Sequence, residues 1–161
     1  LILPSFYVPA FVEWKRKGGQ RLVLLVRTER AVWHPPDARY PLKLCTPKSR
    51  ARTHSIHGNQ PKLARVDRDD VWLNPEDART RGISDGERVR VYNDRGSTVL
   101  PARVTTRMAR GAVSIKEGAW FTPDGEGIDT KGCANVLADD RAAPCGATTY
   151  NTNLVEVERA S

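Results

Sequence analysis

Within RARTHSIHGNQ, residues 50 to 60, two arginines, a threonine, two histidines, a serine and an asparagine stand almost side by side. Arg50 and Arg52 suit anionic oxygens, which a guanidinium meets with two parallel N–H groups. Thr53, His54 and Ser55 add hydroxyl and imidazole groups that donate and accept on the edge of a phosphate or a heterocycle. A metal site is poorly served, because His54 and His57 are followed at once by Gly58 and no third ligand stands nearby. Ser55 and His54 make no nucleophile–base pair, since neighbours in an extended chain point to opposite sides. Two readings remain: a surface for a polar ligand, or a solvated loop.

Other stretches carry the same kind of chemistry. In EGAWF, residues 117 to 121, Gly118 permits a close backbone approach, while Trp120 and Phe121 can wall a flat ligand or plug a core. Asn135 offers a donor and an acceptor, which suits a base edge as well as a turn. Asn151, Thr152 and Asn153 place three short polar groups before the last apolar alternation.

The elements that must position these residues are mostly short strands. YPLKLCT alternates with Leu42 and Leu44 on one face, and DGERVRVYNDRGSTVLPARVTT reads as a hairpin. In that hairpin Val89 and Val91 lead into the turn Asn93-Asp94-Arg95-Gly96, and Val99 and Val104 lie on the return strand. GAVSIKEG and TNLVEVER add two more strands, the last alternating Leu154 and Val155 or Val157 with glutamates. One short helix follows Asn74, which is a good N-cap ahead of Pro75, Glu76 and Asp77, and Gly82 closes it. Residues 1–39 mix charge runs, glycines and a Pro-Pro pair, and read as a linker with at most one strand at LVLLV. The polar stretch from Phe121 to about Tyr150 has the length of a functional loop. Short strands with long glycine-bearing connections predict a mainly β fold, a small closed barrel.

A chain of 161 residues with 39% apolar residues has the size of one domain. No run approaches a membrane span, and the opening segment is broken by two prolines without a basic start. The first residue is leucine, so the sequence reads as a piece of a longer polypeptide. The net charge of +7 is uneven: residues 1–70 hold 14 Lys/Arg against 6 Asp/Glu, and the remainder 12 against 13. Anionic partners are drawn to the first part. Cys45, Cys133 and Cys145 show no CxxC spacing; Cys133 and Cys145 can pair in an oxidising compartment, although idle thiols suit the pattern better.

The ordered stretches YPLKL, RTHS, WLNPEDARTRGISDGERVRVYNDRG, ARVTTRMARGAVSIKEGAWFTPDG, NVLADD and NTNLVEVE resemble the C-terminal cofactor-binding domain of molybdopterin oxidoreductases. Within that superfamily they are most similar to the catalytic subunit of anaerobic dimethyl sulfoxide reductases. The resemblance runs from about Tyr40 to Glu158, and residues 14–39 depart from it. It implies a six-stranded double-psi β-barrel over residues 40–161, at the end of a much larger enzyme. It implies molybdenum held by two molybdopterin guanine dinucleotides, with the metal's protein ligand in an earlier domain, so that this chain alone does not turn over. It further implies an iron–sulfur electron-transfer subunit, a membrane-anchor subunit and an exported, membrane-associated enzyme. By the same resemblance Thr46, Arg50, Arg52, Thr53, His54 and Ser55 lie against the cofactor, with Trp120, Phe121, Asn135, Asn151 and Thr152 as further contacts. No catalytic or metal-ligating residue is expected in this chain.

Two other functions compete. A basic nucleic-acid or protein recognition module would use the cationic first part, yet Tyr7, Trp14 and Trp33 are not interleaved with Lys/Arg as in a known RNA-binding motif. A self-cleaving decarboxylase on a similar barrel would cut at Gly96-Ser97, which here sits in an ordinary hairpin turn.

Overall fold

A computed structural model describes residues 11–15, 21–25, 38–140, 150–151 and 153–160. Two strands, β1 (Phe11–Lys15) and β2 (Arg21–Leu25), pair antiparallel with Phe11 opposite Leu25 and Lys15 opposite Arg21. The sequence suggests the second of these and gives no sign of the first.

Six strands close a barrel: β3 (Leu42–Cys45), β4 (Val71–Leu73), β5 (Arg88–Tyr92), β6 (Ser97–Val104), β7 (Ala112–Ile115) and β8 (Leu154–Arg159). Their order around the barrel is β3-β7-β4-β6-β5-β8, with β3/β7 and β4/β6 parallel and the other pairs antiparallel. Exchanging the first three strands for the last three leaves this order unchanged. Each parallel pair therefore joins one strand of the first half to one of the second, which is the double-psi arrangement.

Period-two alternation explains what fills it. Leu42 and Leu44, Val71 and Leu73, Val89 and Val91, and Val155 and Val157 all point inward and are essentially inaccessible. On β6 the inward residues are Thr98, Leu100 and Ala102; Val99 and Val104 are only half-buried, because Val99 stands opposite Arg90 on the outer face. Leu154 is half-buried too, since the pairing of Leu42 with Val155 turns Val155 and Val157 inward.

Helix α1 (Pro61–Val66) buries no residue, whereas α2 (Pro75–Thr80) buries Ala78 against the barrel. Asn74 caps α2 by accepting from the Glu76 N–H at 2.9 Å, and the chain leaves through Gly82 in the left-handed region at φ +64°. A single 3₁₀ turn, Ala134–Leu137, closes the list of helical elements among the described residues.

Candidate functional site

The RARTHS loop leaves β3 and is held by acidic residues that follow it. Ser49 Oγ and the Arg50 N–H both donate to Asp67 Oδ2, at 2.7 and 2.8 Å, and Lys116 Nζ lies 2.9 Å from Asp67 Oδ1. Burial works against ionising Asp67, but these donors win and hold its pKa at about 2. One Arg52 terminal nitrogen donates to both Asp69 oxygens, at 2.7 and 2.8 Å, and the other to the Glu117 carbonyl at 3.2 Å. Only 7% of the Arg52 side chain is exposed. The terminal donors expected to meet a ligand's anionic oxygens are therefore engaged inward, and Arg52 is a strut of the loop.

The same loop is pressed onto the EGAWF turn. His54 has φ +52° and lifts its carbonyl towards Gly118, itself at φ +86°, where a Cβ would overlap that carbonyl. Glu117 N–H donates to the Pro47 carbonyl at 3.0 Å, and Trp120 Nε1 donates to the Ser55 carbonyl at 2.7 Å. Trp120 and Phe121 are half exposed at 50% and 55%, so neither plugs the core. Glu117 Oε1 lies 2.6 Å from Lys48 Nζ and 3.2 Å from His54 Nδ1. The Lys48 hydrogen bond, opposed by some burial, holds the Glu117 carboxyl below the usual range. Two cations of this loop, Lys48 and Arg52, are thus paired with Glu117 and Asp69.

The facing wall is the 3₁₀ turn, fastened through buried Asp129. That carboxylate accepts from Thr98 Oγ1 at 2.6 Å and from the N–H groups of Gly132, Cys133 and Thr122 at 2.7, 2.8 and 2.9 Å. Burial raises its pKa, yet the four donors lower it overall.

Between the walls lies a cleft of about 210 Å³, lined by Thr46, His54, Ser55, Glu117 and Gly118 on one side and by Ala134, Asn135, Ala138 and Tyr150 on the other. Four of the expected residues, Thr46, His54, Ser55 and Asn135, therefore come together. Asn151 joins them indirectly, because its Oδ1 accepts from the Thr46 N–H and Oγ1 at 2.7 and 3.0 Å. Arg50 and Thr53 are exposed and do not line the cleft. Thr152 and Cys145 lie outside the described residues. Glu117, Ala134, Ala138 and Tyr150 line the cleft as well, and of these only Glu117 carries a signal in the sequence, as the charged first residue of EGAWF. Among the described residues no three His, Cys, Asp or Glu stand close enough to hold a metal.

A family profile described as "Molydopterin dinucleotide binding domain" matches residues 42–154, which include every wall of this cleft. The chain belongs to that family. It is 43% identical over 126 residues to dimethyl sulfoxide reductase DmsA of Escherichia coli (strain K12), a match covering 78% of this chain and 16% of that protein. It is 39% identical over 130 residues to the trimethylamine-N-oxide reductase of Haemophilus influenzae (strain ATCC 51907 / DSM 11121 / KW20 / Rd), covering 74% and 16%. In three dimensions it is similar to the acetylene hydratase from Pelobacter acetylenicus, with a TM-score of 0.64, 19% identity, and coverage of 75% of this chain and 18% of that one. That likeness concerns the fold. The chain spans about a sixth of the length of the curated relatives it matches. The cleft fits the family's molybdenum-bearing dinucleotide: it presents hydroxyl, imidazole and amide groups without a free carboxylate, since Glu117 is paired with Lys48.

Proposed function

We propose that this barrel holds one end of a molybdopterin guanine dinucleotide in the cleft between the RARTHS loop and the 3₁₀ turn. The observation that carries the reading is the convergence of Thr46, His54, Ser55 and Asn135, from segments 89 residues apart at their ends, on one cleft. Thr46 and Ser55 supply hydroxyls, and His54 an imidazole, to the heteroatoms of the ligand. Asn135, exposed at the rim, donates and accepts on a base edge. Asn151 fixes the Thr46 hydroxyl, and Trp120 holds the Ser55 carbonyl.

In this reading residues 40–161 are the binding domain, residues 1–39 the segment before it, and the whole enzyme reduces an S-oxide or N-oxide. When bound, the molybdenum cofactor supplies two-electron, oxygen-atom-transfer chemistry. An iron–sulfur subunit delivers the electrons, and an anchor subunit places the exported enzyme at a membrane. The names of the relatives support the substrate class. No helix among the described residues is long and apolar enough to cross a membrane.

The test uses the full-length enzyme, with guanine nucleotide and molybdenum measured per polypeptide. Asn135→Ala and His54→Asn should each weaken retention about tenfold, as expected for one lost hydrogen bond to a buried polar ligand. Full cofactor content in both variants would place the ligand elsewhere. An enzyme loaded with cofactor that reduces neither dimethyl sulfoxide nor trimethylamine N-oxide would overturn the substrate class.

A further inference from the structure

The β5–β6 turn, Asn93 to Gly96, does more than join two strands. A hairpin needs only its own closing bond, here the Asn93 N–H to the Gly96 carbonyl at 3.0 Å. Yet Asn93 Nδ2 donates to the Leu137 carbonyl at 2.9 Å and to the Leu154 carbonyl at 3.1 Å. Arg95 Nε donates to the same Leu137 carbonyl at 3.0 Å, and a terminal nitrogen of Arg95 donates to Asn153 Oδ1 at 3.1 Å. Asn153 is buried, and its Oδ1 also accepts from the Asp139 N–H at 2.8 Å while its Nδ2 donates to the Tyr150 carbonyl at 3.0 Å. A Cβ on Gly96 would stand 2.8 Å from the Val136 carbonyl, so glycine lets the tip lie flat on the 3₁₀ turn. Asp94 accepts from Tyr40 Oη at 2.7 Å and anchors the tip to the start of β3.

Leu137 lies two residues beyond Asn135, and Asn153 two beyond Asn151. The tip therefore grips both segments that carry the cleft's amide side chains. Resting on the cleft assigned above, we infer that Arg95, assisted by Asn93, is a positioning residue for the cofactor. Its guanidinium bridges the Leu137 carbonyl and the Asn153 amide, and so sets the spacing between the Asn135 turn and the Tyr150–Asn151 segment. A guanidinium carries its donors on separate nitrogens, so Nε meets one acceptor and a terminal nitrogen the other, whereas a lysine gathers its donors on one nitrogen. The bridge keeps the cleft in its binding shape before the ligand arrives, and this preorganisation appears as slower release.

The experiment measures cofactor release from the full-length enzyme in mild denaturant, as free guanine nucleotide against time, together with the thermal midpoint. Arg95→Ala should speed release about tenfold, and Arg95→Lys should fall between it and the parent. Arg81→Ala is the control, because it removes another half-buried guanidinium, paired to Glu156 at 2.5 Å, that takes no part in the bridge. If Arg81→Ala lowers the midpoint as much and speeds release as much, Arg95 serves stability alone and the inference fails. If Arg95→Ala does not fold, Arg95→Lys carries the comparison, and release at the parent rate then overturns the inference. Asn135→Ala and His54→Asn, run in parallel, separate the two ideas. Unchanged release in both Asn135→Ala and His54→Asn removes the cleft itself; faster release in either with parent-like release in Arg95→Ala removes only the bridge.

Discussion

At Gly118 the EGAWF turn meets the His54 carbonyl with no room for a side chain, and its φ of +86° strains any residue with a Cβ. Gly118→Ala must therefore move one loop off the other. It is expected to destabilise the domain by roughly 2 kcal/mol or more, read from chemical denaturation. His54 poses a subtler case. Its φ of +52° suits Asn far better than Ala, so His54→Asn removes the imidazole while keeping the backbone. His54→Ala adds about 1–2 kcal/mol of left-handed strain to whatever the ring contributes. Equal melting for His54→Asn and the parent, with cofactor lost only from the variant, is the expected pattern. Arg52 behaves differently. Removing its buried guanidinium strands the Asp69 carboxylate and the Glu117 carbonyl, so Arg52→Ala should cost about 2–4 kcal/mol of stability. A variant that melts like the parent would mean that Arg52 is no strut.

Among the elements, α2 shows local sequence chemistry deciding structure. Asn74 accepts from the Glu76 N–H and also donates to the Met108 carbonyl at 2.7 Å, so it ties the helix start to the chain before β7. Asn74→Ala should cost about 1–2 kcal/mol, and Asn74→Asp, which caps but cannot donate, should recover part of it in the same melting experiment. Such signals made α2, the β5–β6 hairpin, β3, β7 and β8 legible from residue order. β4 was not, because three residues, Val71 to Leu73, are too few for a period and stand directly before the helix cap. α1 buries nothing, so no apolar spacing announces it. For the site, the hydroxyls, imidazole and amides could be read from their types, but the partner of each arginine could not. Arg52 meets Asp69 only because the chain folds back after α1, and Arg95 reaches Asn153 across 58 residues.

At the scale of the whole molecule, the loops around the cleft are held to the barrel largely by carboxylates, and this fixes how stability depends on pH. Asp67 is half-buried, which opposes its charge, yet Lys116, Ser49 and the Arg50 N–H bring its pKa from 3.8 to about 2. Asp129 is likewise lowered against its burial by Thr98 and three N–H groups, and Glu117 is lowered by Lys48. A carboxylate whose folded pKa lies below its unfolded one binds fewer protons when folded. Its stabilisation is present above the unfolded value, and is lost as pH falls through the folded one. The thermal midpoint should therefore be nearly level above pH about 5 and fall steeply between about 4 and 2, the window that the Asp67 values define. Asp67→Asn keeps an oxygen for Ser49 and the Arg50 N–H but cannot titrate. Its midpoint should start lower at neutral pH, because Lys116 loses one of its two carboxylates, and should then decline less steeply below pH about 4. A variant whose acid slope equals that of the parent would show that Asp67 does not carry the acid sensitivity, which would then rest on Asp129 and Glu117, the other lowered carboxylates.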